Sequence, residues 1–186
     1  SKLEEVPKTP KQRYEIMTQE MPKTGKLSLE MMYQTCGTQI NLDYTSEEDF
    51  IKKFKLSSFL VPLSIAIFAN SPLKENKLSG YLSYRSRVWQ STSRGGLPKI
   101  FFEDMNFEKY VDMAIDIPLL FLLKNKKYLR TEGKTFKEFM EGKFLTNNKE
   151  SVNIKDFENH LATIFTEVRL KKYIEIRSLD TCEWDC

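Results

Sequence analysis

An α+β fold is predicted, with strands toward both ends of the chain and helices between them. Two stretches carry the strand assignment. Thr38, Ile40, Leu42 and Tyr44 alternate with Gln39, Asn41 and Asp43, the period-two pattern of a strand with one apolar and one polar face. Toward the other end, Leu170, Lys172, Ile174 and Ile176 oppose Arg169, Lys171, Tyr173, Glu175 and Arg177 in the same way. The helices come from capped, longer-period segments between the two. No regular strand–helix–strand rhythm and no internal repeat is visible, which argues against a parallel doubly wound sheet.

The elements follow in order. Residues 1–12 contain Pro7 and Pro10 without periodicity and read as a loose arm, leaving 13–186 as one domain. Gln12–Glu20 reads as a short helix stopped by Pro22 and the Lys23–Lys26 turn, and Ser28–Tyr33 leads into the first strand. Thr45-Ser46-Glu47-Glu48-Asp49 is a strong helix start, a hydroxyl cap followed by carboxylates favoured by the helix dipole. Phe50, Ile51, Phe54, Phe59, Leu60 and Leu63 are expected to carry that helix inward as far as Phe68, with a kink or break at Pro62. Tyr84–Trp89 reads as a second strand with Arg85 and Arg87 on one side, and Gly95–Pro98 as a loop. Asn106–Ile115 has helical spacing, Ile117–Leu123 is an apolar run suited to a buried strand, and Thr135–Glu141 opens with a capping box. Asp156–Phe165 is expected to be a helix carrying His160.

With 186 residues the chain suits one well-buried domain. Its 29 basic and 26 acidic residues nearly balance, so no electrostatic footprint calls for nucleic acid or an anionic membrane. The longest apolar stretch, Phe59–Ala69, is too short to span a bilayer. The charged N-terminus lacks a signal-like apolar core, and Cys36, Cys182 and Cys186 form neither a closed disulfide framework nor a zinc motif. The expected setting is cytoplasmic and reducing, with any redox role of Cys182 and Cys186 left open.

The chemistry-bearing residues lie on the polar strand faces: Gln39, Asn41 and Asp43 on one, Glu175 and Arg177 on another, and Arg85 with Arg87 on a third. On neighbouring strands facing one cavity, they would supply oxygens for a hard cation and guanidiniums for a phosphate or carboxylate. The competing reading is ordinary: Glu175 and Arg177 as a surface ion pair, Trp89 as core, Arg85 paired with Glu103 or Asp104. No glycine-rich phosphate loop is present, so any nucleotide would be held by side chains and metal. His160, with Leu161 and Ile164 beside it, reads as structural, and Cys36 as a packed thiol.

Eight motifs, in one order, resemble the plant and proteobacterial type of glutamate-cysteine ligase. They are Arg13-Tyr14-Glu15-Ile16-Met17, the Thr35–Tyr44 strand, Phe68-Ala69-Asn70-Ser71-Pro72 and Tyr84-Arg85-Ser86-Arg87-Val88-Trp89. Phe107–Asp112, Phe139–Lys143, Glu158–Leu161 and Thr163–Lys171 complete the set. The resemblance implies a glutamine-synthetase-like fold, an antiparallel sheet with helices packed on one side, funnelling ATP, magnesium and amino acids. It implies activation of the glutamate γ-carboxylate by ATP and attack on the acyl phosphate by the cysteine amine. By the same resemblance Glu175 would be a magnesium ligand and Gln39 would sit at the metal or nucleotide end. Asn41 would face glutamate or the phosphates, and Arg177 would neutralise the transferred phosphoryl group. Arg85 would clamp the glutamate α-carboxylate, with Trp89 walling the pocket.

The resemblance is partial. Family members are longer and carry an N-terminal strand with closely spaced metal-binding glutamates, which nothing in 1–12 matches. Leu120 stands where the family usually has a tyrosine, and Val61 where it usually has a glutamine. The chain is therefore expected to be an internal part of such a ligase, with exposed sheet edges that invite self-association. Two alternatives stay open: an amino-acid-binding module without catalysis, and a ligase using another amine acceptor.

Overall fold

The computed structural model describes residues 2–92, 94–143 and 151–183. In chain order the helices are α1 (Gln12–Glu20), α2 (Ser28–Tyr33), α3 (Glu47–Ile67), α4 (Tyr84–Gln90), α5 (Phe107–Asp116), α6 (Phe136–Met140) and α7 (Ile154–Leu161). The strands are β1 (Gly37–Leu42), β2 (Leu73–Lys74), β3 (Lys77–Leu78), β4 (Gly95–Gly96), β5 (Leu122–Lys124), β6 (Lys127–Leu129), β7 (Phe165–Thr166), β8 (Val168–Leu170) and β9 (Ile174–Asp180). The mixed helix and sheet content agrees with the α+β expectation.

The central sheet has the order β1-β9-β8, antiparallel throughout, so the two alternating stretches of sequence meet as neighbours. The Arg169–Arg177 alternation is not one strand. It is a hairpin in which Leu170 pairs with Ile174 across a three-residue loop, and Arg169 pairs with Glu175. An odd-numbered loop keeps the inside–outside parity unchanged, which is why the sequence pattern runs through the turn without a fault.

One face of this sheet is apolar. Val168, Leu170 and Ile174 pack with Phe50, Phe54 and Val61 of α3 and with Phe101, Met105 and Tyr110. Ser46 caps α3, its hydroxyl accepting from the Asp49 amide at 3.2 Å. The helix runs past Pro62, which lies on its exposed side, without the expected break. Its inner face is Phe50, Phe54, Ser57, Ser58 and Val61. Phe59, Leu60 and Leu63, expected to point inward, are exposed. A helix this rich in apolar residues has two hydrophobic stripes, and composition does not say which one meets the sheet.

The other face is polar and is also covered by a helix, against the expectation of helices on one side only. Tyr84–Trp89, expected as a strand, lies in the helix α4, Tyr84–Gln90. Ser83 caps it, accepting from the Ser86 amide at 3.1 Å. Arg85, Ser86, Val88 and Trp89 face inward while Arg87 and Gln90 face solvent, the three-and-four spacing of a helix. Ser28–Tyr33 is likewise helical. Of the Ile117–Leu123 run, Leu119, Leu120 and Leu122 are buried, but only Leu122 begins a strand. The Gly95–Gly96 loop pairs in parallel with β7, and α7 ends at Leu161, before the expected Phe165.

His160 has the structural role expected of it. It is buried, its Nε2 lies 2.8 Å from the Ala114 carbonyl oxygen, and its ring stacks on Phe136. Burial holds its pKa down at about 4.

Candidate functional site

The polar face of the sheet is organised by an irregularity in its register. Thr38 pairs with Leu179 and Ile40 with Ile176, so Gln39 stands opposite two residues, Arg177 and Ser178. Such a bulge bends the strand and redirects side chains. On the other side of β9, the Arg177 amide donates to the Glu167 carbonyl at 2.8 Å. The Glu167 amide turns away and donates to Gly96 at 2.9 Å. The Arg177 carbonyl, released from that reciprocal pair, accepts from Arg85 Nη2.

Arg85 and Arg177 thereby come together on Trp89. Their guanidinium carbons lie 4.6 Å and 4.7 Å from the indole centre, a double cation–π contact. The indole Nε1 donates to Thr35 Oγ1 at 3.3 Å. Both arginines are nearly enclosed, Arg85 at 4% exposure and Arg177 at 8%, and each keeps Nε and Nη1 without a hydrogen-bond partner. Desolvation lowers both pKa values. That of Arg177 falls to about 10, with Arg169 adding to the effect, and both groups stay charged at neutral pH. Gly37 fits this packing closely: a Cβ there would stand 2.6 Å from Arg85 Nε.

A cavity of about 230 Å³ opens against these groups, walled by Arg85, Trp89, Arg177, Phe165, Gln39 and Met17 among others. Cys36 also lines it and is exposed, not the packed thiol expected. Beside the cavity, Trp89 packs with Leu120, Met17, Met21 and Met31.

Glu175 is enclosed in ion pairs. Its Oε2 accepts from Arg169 Nε at 2.8 Å and lies 2.5 Å from Arg169 Nη2, while Oε1 accepts from Lys171 at 3.2 Å. Arg177 Nε is 3.5 Å from Oε2. Burial opposes the charge of Glu175, but Arg169, Arg177 and Lys171 together hold its carboxyl below the usual range. Asp180 is committed elsewhere, accepting from the Asn70 amide, Ser71 and Ser83.

Of the residues singled out from sequence, Arg85, Trp89, Arg177 and Gln39 meet at one cavity. Asn41 pairs with Glu175 across the strands on the same polar face, and Asp43 is exposed just past β1. Arg87 lies apart, on the solvent side of α4, donating to Ser91. The expected surface pair Glu175 and Arg177 is buried, and Cys186 lies outside the described residues. Two groups escaped sequence reasoning, Glu167 and Arg169, because they sit where the hairpin and the Gly96 contact place them.

The fit to magnesium is poor among the described residues. No group of three His, Cys, Asp or Glu side chains could hold a metal there, and both Glu175 oxygens face cations. The arrangement fits an anion instead.

Two buried guanidiniums flanking an indole beside this cavity, on an α+β domain, are groups suited to receiving a small anion. The chain matches the model of glutamate-cysteine ligase family 2 over residues 2–186, and it belongs to that family. Glutamate-cysteine ligase A, chloroplastic, of Oryza sativa subsp. japonica is 50% identical over 185 residues, covering 98% of this chain and 38% of the relative. The chloroplastic enzyme of Nicotiana tabacum is 47% identical, covering 98% of this chain and 35% of the relative, and that of Arabidopsis thaliana 46%, covering 97% and 35%. The chain thus spans little more than a third of the length of these relatives. Among the described residues, no helix is long and apolar enough to cross a membrane.

Proposed function

We propose that this chain carries part of the substrate site of a glutamate-cysteine ligase, with glutamate seated on Arg85, Trp89 and Arg177. The observation that carries the reading is the pair of enclosed guanidiniums against Trp89, each with unpartnered N–H groups beside a cavity. A carboxylate bridging them replaces lost hydration with charge-assisted hydrogen bonds and sets one negative charge between the two cations in a dry setting. In this reading Arg85 fixes the α-carboxylate and Trp89 walls the glutamate side chain. Arg177 offsets the charge that develops as the γ-carboxylate takes a phosphoryl group from ATP. The cysteine amine then attacks that acyl phosphate, forming the amide bond and releasing phosphate.

Gln39 lines the cavity and Asn41 follows it on the same face of β1, where they would meet nucleotide or phosphate oxygens. ATP and magnesium belong to the proposal, on the glutamine-synthetase-like fold that the family resemblance implies. Magnesium bound with ATP would supply charge neutralisation. A metal role for Glu175 requires it to exchange Arg169 and Lys171 for the cation, and other oxygen ligands would come from elsewhere in the full-length protein. The role its surroundings favour is orienting Arg169 and Arg177. That same scarcity of free carboxylates favours the second reading, an amino-acid-binding module without turnover.

Leu120 borders Trp89 and is the position where a different amine acceptor would be read, whereas Val61 lies in the core beneath the apolar sheet face. Among the described residues β1 is paired on one side only, and its other edge is the proposed route to self-association, measurable by sedimentation. The reducing compartment proposed for the chain is the cytoplasm, with the plastid beside it by the names of its relatives.

Calorimetric titration of glutamate, with and without magnesium and a non-hydrolysable ATP analogue, tests the reading. Saturable binding that Arg85→Ala abolishes supports it. Binding that survives Arg85→Ala, or no binding in any condition, refutes it for this chain. Glutamate binding indifferent to metal-nucleotide selects the second reading.

A further inference from the structure

Glu167 stands behind the two arginines, outside the cavity wall. It is 2% exposed, and among the described residues neither carboxylate oxygen has a hydrogen-bond partner. As the cross-strand neighbour of Arg177 it lies on the polar sheet face. The charged groups facing it are Arg85 from α4 and Arg177 and Asp180 from β9. Asp180 is already bonded to Ser71 and Ser83, Arg169 on the same face is committed to Glu175, and Cys36 lines the same cavity as Arg85. A buried carboxylate without donors is therefore held near two guanidiniums whose Nε and Nη1 are also unbonded, while Arg85 Nη2 serves the Arg177 carbonyl and Arg177 lies 3.5 Å from Glu175.

An orphan carboxylate is expensive when charged and tolerable when protonated. Here burial pushes Glu167 up to about 7, against the opposing pull of Arg85 and Arg177, so the two forms coexist at neutral pH. An anion seated on the arginines spends their field and adds a like charge nearby. Both effects favour the protonated form.

We propose that Glu167 is the proton-linked counter-charge of the arginine pair: a carboxylate or phosphate seated on Arg85 and Arg177 binds together with one proton, which a Glu167 oxygen takes from solvent. The inference rests on the reading of this pair as the substrate site. When the site is empty, the ionised Glu167 balances one arginine. When the site is filled, the ligand takes over that balance and Glu167 is neutral. Uptake is on the order of half a proton at pH 7, where the group is half titrated. By linkage, anion affinity falls as pH rises above 7, by up to about tenfold per pH unit.

Two measurements on the chain test this. Carboxyl-carbon NMR of the free protein is expected to show one glutamate titrating near neutrality and missing in Glu167→Gln. That titration should move upward when inorganic phosphate or glutamate is added. Calorimetry of glutamate in two buffers of different protonation enthalpy should show proton uptake in the wild type and none in Glu167→Gln, whose affinity should stay flat from pH 7 to 8.5. Titration of every glutamate below pH 6 overturns the proposal, as does the absence of any shift with either anion. If glutamate fails to bind the wild type, the substrate reading falls, and the free-protein titration with phosphate decides the counter-charge by itself.

Discussion

Replacing Arg169 by methionine tests whether the polar face of the sheet is held by charge. Arg169 makes two contacts to Glu175 Oε2, at 2.8 Å and 2.5 Å, with both side chains enclosed. Its Nη1 donates to the carbonyls of Ala162 and Ile164 at 3.1 Å and 3.0 Å. Removing one partner of a buried pair costs about 3–5 kcal/mol, because the other charge stays behind uncompensated. Each dry orphan carbonyl adds about 1 kcal/mol or more. Lys171, half-exposed and 3.2 Å from Glu175, recovers part of that loss. The expected loss is about 4 kcal/mol, a large share of the roughly 5–15 kcal/mol typical of a domain. Urea unfolding followed by circular dichroism should give that value for Arg169→Met and about 3 kcal/mol for Glu175→Gln, which strands the arginine instead. The double variant should lose at least about 2 kcal/mol less than the sum of the singles. A single-variant loss below about 1 kcal/mol, or strict additivity, would refute the reasoning.

Other outcomes follow from the same geometry. His160, held at about 4 in the fold against 6.5 outside it, binds fewer protons folded than unfolded in that range. Its contribution is complete above pH 6.5 and is lost as pH falls toward 4, about 3 kcal/mol in all, read from unfolding free energy against pH. Glu167 works the other way, its contribution complete below 4.5 and lost as pH rises through 7. The two slopes offset between 4.5 and 6.5, so Glu167→Gln should expose a steeper acid limb. Gly37→Ala should displace Arg85, weakening glutamate binding about tenfold while costing about 1–3 kcal/mol of stability. Asp180→Ala removes the acceptor of Ser71, Ser83 and the Asn70 amide. It should destabilise the start of α4 by about 2–4 kcal/mol, with faster amide exchange there than in α5.

The fold was legible where local chemistry dominates. Ser46 with its three carboxylates, Thr135 with Glu138, and the Thr38–Tyr44 alternation each express a rule that acts within a few residues. Tyr84–Trp89 misled because Arg85 and Arg87 alternate like a strand, while the helical signal was Ser83 as a cap and the burial of Val88 and Trp89 one turn after Arg85. The hairpin after Leu170 was invisible because its three-residue loop preserves parity. At the site, Arg85, Trp89 and Arg177 were singled out from residue type and family likeness. Their convergence depends on the bulge opposite Gln39 and on Gly96 taking the Glu167 amide, both long-range events. Glu167 gave no local signal, being one more acid in a mixed sequence until the sheet placed it beside two arginines.

Trp89 gives this site an optical gauge of its own. An indole clasped by two guanidiniums absorbs and emits in a strong, oriented electric field. Any molecule that draws charge from Arg85 or Arg177 changes that field at the chromophore, without touching the ring. The chain holds only one other tryptophan, Trp184, so Trp184→Phe would leave emission reporting from the arginine clasp alone. Occupancy of the pocket then becomes a colour, readable in a cuvette with no label, no coupling enzyme and no turnover.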